Sequence, residues 1–222
     1  MTVEELHDIS ALAALAQEWS ELWERCPSAT PFQSPEWLLP WWKYFGQDGL
    51  MTLTVRRRGR LAGVAPLFRF KHPECGCRHV ALLGSGISDY LDFLMEPDAA
   101  EEGTRRVFAY LLSQKARWDR GDFQELRAAS PLLSLPALPG LHLQSTAMEA
   151  CPVLVLPKTV SAFREGLTAR FRKELRYTGN SIARAGGACS AAATGATRLE
   201  FLEALFRLHR AAWEERKESG VL

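Results

Sequence analysis

The stretch Leu50–Phe70, LMTLTVRRRGRLAGVAPLFRF, decides the fold class. Leu50 to Val55 and Leu61 to Phe70 are aliphatic, β-branched and aromatic, and Arg58-Gly59 stands between them with turn chemistry. Two such runs joined by a short glycine-containing turn predict a β-hairpin. On its N-terminal side, Ile9, Leu12, Ala16, Trp19 and Trp23 recur at helical spacing and predict an amphipathic helix over residues 9–25. Ser34-Pro35 has the chemistry of an N-cap followed by proline at the first helical position. The helix it opens carries Trp37, Trp41, Trp42 and Phe45. Gly46 is placed to end it, and Pro40 is expected to kink it.

On the C-terminal side of the hairpin, the apolar run Val80–Leu83 leads into Gly84-Ser85-Gly86, and Tyr90–Met95 reads as a further short strand. Residues 99–117 are predicted helical, and Phe123–Leu126 a strand. A proline-rich connector covers 131–140. Cys151–Leu156 is β-branched and apolar enough to be a buried strand. Strands and helices alternate, so the expected class is α/β or mixed α+β around a central sheet flanked by helices.

After Pro157 the texture changes. Phe163, Leu167, Phe171 and Leu175 step by four along one helical face, while Arg170, Arg172, Lys173 and Arg176 occupy the opposite arc. Gly186-Gly187 ends this region, Cys189–Ala193 is expected as a strand, and a helix is predicted over 198–218 with Leu199, Leu202, Leu205, Phe206 and Trp213 as its apolar stripe. Residues 157–222 hold 12 Lys and Arg against seven Asp and Glu, whereas residues 1–156 are net acidic. The chain is therefore divided into 1–156 and 157–222.

Over the whole chain, 47% of residues are hydrophobic and 24% charged, with a net charge of +1. These are values of an ordinary globular protein, and they point to no nucleic-acid or membrane partner. With 222 residues the chain buries a core without disulfide or metal staples. Cys26, Cys75, Cys77, Cys151 and Cys189 show no framework spacing, which fits a reducing compartment. Residues 1–10 lack the apolar core of a secretory signal, and the most apolar stretch, Ser130–Leu143, is broken by Pro131, Pro136 and Pro139. A cytoplasmic location with no membrane span is expected.

Several residues have the chemistry of a site. Arg60-Leu61-Ala62-Gly63-Val64-Ala65 matches the phosphate-loop pattern Gln/Arg-x-x-Gly-x-Gly/Ala. Pro66 to Phe70 continues as strand, however, so no helix N-terminus follows to meet a phosphate. Gly84-Ser85-Gly86 allows close approach of a ligand to the backbone, or is a plain turn. Asp89 and Asp92 either bind or deprotonate an amine or hydroxyl, or are simply solvated carboxylates at a strand end. His209, in the apolar stripe of the last helix, is either a core histidine or a general base. The arc of Arg170, Arg172, Lys173 and Arg176 is a solvated face, an anion contact or an RNA contact. His72, Cys75, Cys77 and His79 are zinc-ligand types, but their spacing departs from the usual chelate, and no metal is expected.

Five segments together resemble one family. They are Phe32-Gln33-Ser34-Pro35-Glu36-Trp37 with Trp41-Trp42 and Phe45-Gly46, then Gly63-Val64-Ala65-Pro66-Leu67, Ser88-Asp89-Tyr90-Leu91-Asp92, Arg172-Lys173-Glu174-Leu175-Arg176, and Leu208-His209-Arg210-Ala211-Ala212-Trp213. In this order they resemble the CelD/BcsL-type acyltransferases of the GNAT superfamily, with Ala212 where arginine is usual. The resemblance implies two GNAT-like domains in tandem, the first degenerate and the second the acyl-CoA-binding domain. It implies acyl transfer to an amine or hydroxyl of a small-molecule or glycan acceptor, in polysaccharide or cell-envelope biosynthesis and alongside other proteins of that machinery. Asp89, Tyr90 and Asp92 would contact the substrate, and Arg170, Arg172, Lys173 and Arg176 are expected to do so as an anion contact, to a nucleotide-sugar, the acyl-CoA phosphates or a lipid-linked phosphate. Family chains are longer, so the acyl-CoA phosphate loop is expected beyond Leu222 and the chain alone is expected to be inactive. A non-catalytic GNAT-like binding module and an aminoacyl-tRNA-dependent transferase stand as alternatives.

Overall fold

The structure is a computed structural model that describes residues 1–46, 49–136, 138–148 and 150–217. It divides into two compact units, Met1–Ala150 and Cys151–Leu222. The first is mixed α+β, the class expected from the sequence.

The hairpin forms from β2 (Thr52–Arg57) and β3 (Arg60–Ala65). Its two-residue turn places both Arg58 (φ 52°) and Gly59 (φ 83°) in the left-handed region, the geometry that matches the twist of paired strands. The run expected to continue from Leu61 to Phe70 is instead cut at Pro66, which has no N–H to donate to a ladder. Beyond it, β4 (Leu67–Lys71) leaves for a second sheet. One sheet has the order β1 (Thr2–Leu6), β2, β3, β6 (Leu94–Met95), all antiparallel. The other has the order β4, β5 (Arg78–Leu82), β7 (Arg120–Asp122), with β5 and β7 parallel. The lead-in to β2 borders β4 as well: Met51 N–H donates to Leu67 O at 3.0 Å and Arg69 N–H to Gly49 O at 2.7 Å.

Helices cover both faces. On one lie α1 (Ile9–Ala14), α2 (Ala16–Arg25) and α3 (Pro35–Phe45), which bury Leu12, Trp19, Leu22, Leu38 and Trp41 against Leu61, Val64 and Leu83. On the other, α4 (Ala100–Ser113) buries Val107, Phe108 and Leu111 against Leu53, Val55, Leu67 and Leu82. Val64 and Ala65 are neighbours in one strand yet belong to different cores, as alternation across a pleated strand requires. Each of these large side chains contributes about 1.5–3 kcal/mol by leaving water. Buried Trp19 satisfies its indole N–H with Gln33 O at 3.0 Å.

Several boundaries differ from the sequence reading. The helix expected over 9–25 breaks at Leu15, which ends α1 and caps α2, so that Leu12, Leu15, Trp19 and Leu22 all turn inward. Ser34 caps α3 as expected, its hydroxyl accepting from Trp37 N–H at 3.3 Å, and Pro40 is accommodated inside the helix. Of Tyr90–Met95 only the last two residues pair, and the remainder is a loop. The strand placed at Phe123–Leu126 forms three residues earlier as β7, leaving Phe123 to pack its ring on Phe93 and Phe108. The helix read over 99–117 is α4 followed by a 3-10 turn at Lys115–Arg117. The connector 131–140 is not merely a link, since Leu132 is buried in the α4 core.

In the second unit, Cys151–Leu156 is not a buried strand. It is exposed and unpaired among the described residues, because a β-branched run without a neighbouring strand has nothing to bond. Cys189–Ala193 is likewise irregular. The single helix read across Phe163 to Leu175 is two, α5 (Val160–Gly166) and α6 (Ala169–Arg184). Thr168 breaks it, because its hydroxyl caps α6 by accepting from Phe171 N–H at 3.3 Å. The last helix, α7, runs Arg198–Arg216, and residue 218 lies outside the described residues. None of the described side chains of this unit is fully buried.

Candidate functional site

Parallel strands β5 and β7 are joined through α4, and a ligand site in such a crossover lies beyond the carboxyl ends of the strands. In this chain that position is taken by the loop 83–93. Leu83 N–H donates to Pro66 O at 2.8 Å, and Gly84 then turns the chain with φ 95°. A Cβ on Gly84 would stand 2.7 Å from Ser88 Oγ and 2.8 Å from Leu91, so this glycine is required by the packing of the loop on itself. Gly86, with φ 89° and open space around it, is required by its backbone angle alone.

The loop is tied down by groups from two other segments. Trp37 Nε1 on α3 donates to Ser88 Oγ at 2.9 Å, and Thr30 Oγ1 donates to Tyr90 O at 3.3 Å. Gln33, nearly buried, holds the Thr30 N–H through its Oε1 at 2.8 Å. Leu91 N–H is satisfied by Glu125 O at 3.0 Å. Phe32 packs edge-on against Trp37, ring centroids 5.1 Å apart, and lies 6.2 Å from the Tyr90 ring. The three half-buried rings form an aromatic wall beside the loop.

Asp89 and Asp92 part company here. Asp89 is exposed. Asp92 is buried, and its Oδ1 accepts from Phe93 N–H at 2.7 Å. Burial pushes its carboxyl above the usual range, opposed by hydrogen bonds from the Ser130 hydroxyl and Phe93 N–H and by the charge of Arg127. Asp92 therefore anchors the loop, while Asp89 is exposed and Tyr90 half-buried beside Phe32. Sequence reading placed Asp89, Tyr90 and Asp92 together as substrate contacts. In the fold Asp92 is buried and hydrogen-bonded by Phe93 N–H and the Ser130 hydroxyl, whereas Asp89 is exposed.

The remaining candidates lie elsewhere. In α6, Arg170 pairs with Glu174 at 3.0 Å one turn along, and Arg172 donates to Glu165 O at 3.3 Å at the end of α5. Lys173 and Arg176 are exposed. His209 on α7 is half-buried, with the Trp213 ring 5.7 Å away. These residues belong to the second unit. His72, Cys75, Cys77 and His79 occupy the β4–β5 connection and its flanks, and no group of metal-ligand type is gathered to hold an ion among the described residues. Cys26, its thiol pushed up to about 11 by burial, donates to Met95 O and is no nucleophile.

Neither phosphate-loop candidate in the first unit fits an acyl-CoA pyrophosphate. Arg60–Ala65 is strand β3, where a Cβ on Gly63 would lie 2.1 Å from Met95 Sδ. Gly84–Gly86 opens into a loop, and the next helix, α4, has Glu101 and Glu102 in its first turn, which repel an anion there. The sequence reading missed Thr30, Gln33, Glu125 and Ser130. Thr30-x-x-Gln33 is a capping box and Ser130-Pro131 repeats the N-cap and proline pattern of Ser34-Pro35, so both had a local signal, whereas Glu125 has none.

No protein-family model matches this chain, and no curated protein matches it. Among solved structures, a ribosomal-protein-alanine N-acetyltransferase from Brucella melitensis biovar Abortus 2308 is similar over 66% of this chain and 98% of its own, with 17% identity and a TM-score of 0.40. An aminoglycoside acetyltransferase from an uncultured soil metagenomic sample is similar over 69% and 98%, with 13% identity and a TM-score of 0.41. A GNAT family acetyltransferase of Staphylococcus aureus subsp. aureus USA300_TCH1516 is similar over 69% and 100%, with 12% identity and a TM-score of 0.38.

Proposed function

We propose that this chain supplies the acceptor side of an acyl-CoA-dependent N- or O-acyltransferase acting in polysaccharide or cell-envelope biosynthesis. The observation that carries the reading is the loop 83–93. It stands beyond the carboxyl end of β5, is pinned by Trp37 and Thr30, and carries the exposed Asp89 next in sequence to Tyr90, whose ring lies near Phe32, itself packed on Trp37. An aromatic wall with an adjacent carboxylate suits a polyol or amine acceptor, stacking its apolar face and accepting from its hydroxyl or ammonium. The five-segment resemblance to CelD/BcsL-type proteins supports the same reading. Neither Arg60–Ala65 nor Gly84–Gly86 suits an acyl-CoA pyrophosphate, and a non-catalytic binding module stands as the second reading. A site on the cytoplasmic face of the envelope machinery accords with this role.

Calorimetric titration of the full-length gene product with acetyl-CoA tests it. Binding, with acyl transfer to an amino- or hydroxyl-bearing sugar that falls on Asp89→Asn, is expected. Absence of acetyl-CoA binding leaves the binding module as the better reading.

A further inference from the structure

The connection from β4 to β5, residues 72–77, stands at the opposite end of β5 from the loop 83–93 and carries Cys75-Gly76-Cys77. Cys75 is exposed and Cys77 half-buried, and both are free thiols. Neither belongs to either core of the first unit, so packing does not account for them. The connection is closed on itself. His72 N–H donates to Cys77 O and Gly76 N–H to His72 O, each at 2.9 Å, and Glu74 N–H donates to His72 Nδ1 at 3.3 Å. Gly76 takes φ 67°, an angle that favours glycine, so the residue between the two cysteines is the one that lets the chain bend there.

Inside this turn the cysteines touch each other. Cys77 N–H donates to Cys75 Sγ at 3.3 Å, and the Cys77 thiol reaches Cys75 O at 3.7 Å. Two residues apart, their Cα atoms are separated by at most about 7 Å, near the reach of a disulfide. The contact is unequal. The Cys77 thiol and the Cys77 N–H, helped by the charge of Arg120, hold Cys75 below the usual cysteine range, and the same thiol contact pushes Cys77 above it. An exposed sulfur that receives hydrogen bonds is the better thiolate, and the sulfur beside it keeps its proton longer.

We propose that Cys75 and Cys77 form a dithiol site that reacts with low-molecular-weight disulfides, Cys75 attacking and Cys77 resolving. The Cys75 thiolate, its proton lost to solvent, attacks one sulfur of R–S–S–R. That S–S bond breaks, a mixed disulfide forms on Cys75, and R–S⁻ leaves to take a proton from solvent. Cys77 then loses its proton to solvent and attacks Cys75 Sγ, closing the Cys75–Cys77 disulfide and releasing the second R–S⁻, which is protonated in turn. The two cysteines lose two electrons and two protons, and R–S–S–R gains both as two R–SH. Exposure leaves the new disulfide open to attack by excess thiol, so the reaction reverses in a reducing medium.

Glutathione disulfide is the probe, incubated with the reduced full chain at neutral pH, followed by alkylation of the remaining thiols, tryptic digestion and mass spectrometry. Cleavage after Lys71 and Arg78 releases His72–Arg78, which holds these two cysteines and no other. This peptide should appear unalkylated and lacking both thiol hydrogens, and should return to the alkylated form when dithiothreitol precedes the alkylation. Cys77→Ser should trap Cys75 as its mixed disulfide with glutathione, whereas Cys75→Ser should leave Cys77 mostly alkylated. With iodoacetamide alone, Cys75 should react about twofold to fivefold faster than the exposed Cys151 and Cys189, which serve as internal standards. Far-UV circular dichroism confirms that each variant is folded, and the native chain's peptide and alkylation rates decide the matter if one is not. Glutathione retained on both cysteines, disulfides from this turn to Cys151 or Cys189 in place of the Cys75–Cys77 bond, or a Cys75 no faster than the two standards overturns the proposal. Acetyl-CoA does not enter the measurement, so its outcome is separate from that of the acyltransferase reading.

Discussion

Glu5 and Arg117, 112 residues apart in sequence, form a two-pronged ion pair with N–O distances of 2.6 and 2.7 Å. It fastens the outermost strand, β1, to the turn after α4. Tyr110 adds a third hydrogen bond to Glu5 at 2.7 Å. Burial raises the Glu5 carboxyl, but the bonds from Arg117 and Tyr110 outweigh it and hold the group down at about 2, against an ordinary 4.5. A depressed carboxyl contributes stability that is fully present above 4.5 and is lost as pH falls from there through the folded-state value. Urea unfolding followed across this window should show a decline that flattens in Glu5→Gln. At neutral pH the variant is expected to be less stable by about 2 kcal/mol. An unchanged urea midpoint would show that β1 is held by its ladder to β2 alone.

Gly63 is a position where a single methyl is felt. A Cβ there would meet Met95 Sδ at 2.1 Å and Val55 Cβ at 3.3 Å, in the middle of the larger sheet. Gly63→Ala should destabilise by about 1–3 kcal/mol through overpacking. Met95→Ala opens the space, so the double variant should recover part of that loss relative to the sum of the single changes, a coupling that a double-mutant cycle measures. Strict additivity would contradict the contact.

The hairpin and its turn, the caps at Ser34 and Gly46, and the α4 helix were legible because their signals are local: alternation, turn residues and helical spacing. What was not legible depends on neighbours distant in sequence. Pro66 dividing one apolar run between two sheets is a tertiary choice, although proline's missing N–H is a local warning. Cys151–Leu156 has strand composition and no strand to pair with. Asp89 and Asp92 look equivalent in sequence, and only Ser130 and the Phe93 N–H, brought in by the fold, separate the anchor from the exposed carboxylate.

The separation of the two aspartates is open to direct test. Asp92 is disfavoured as a charge by burial. An asparagine keeps an oxygen for Phe93 N–H and adds a donor for Ser130, so Asp92→Asn should leave stability at neutral pH unchanged or slightly raised. The sign follows from a folded-state value above the unfolded one: the charged form costs stability as pH rises through that range. Asp92→Ala, which leaves Phe93 N–H without its acceptor, should cost about 1–3 kcal/mol. Asp89→Asn should leave the urea midpoint within about 0.5 kcal/mol, as expected of an exposed site. A stability loss in Asp89→Asn would place that carboxylate among the supports instead.

The two units also differ in what holds them. Every fully buried side chain among the described residues lies between Leu12 and Leu132, inside the first unit. The second exposes Phe171, Leu175, Leu199, Phe206 and Leu208, large apolar groups that favour association when left in water. A chain ended after Ala150 should therefore unfold cooperatively with a midpoint within about 5 °C of the full chain. Its helical far-UV signal should fall as α5, α6 and α7 are lost. Sedimentation velocity should show the shorter chain monomeric at concentrations where the full chain self-associates. A midpoint lowered well beyond that margin would show that the second unit stabilises the first. A full chain that stays monomeric would show that its apolar faces are covered within one molecule.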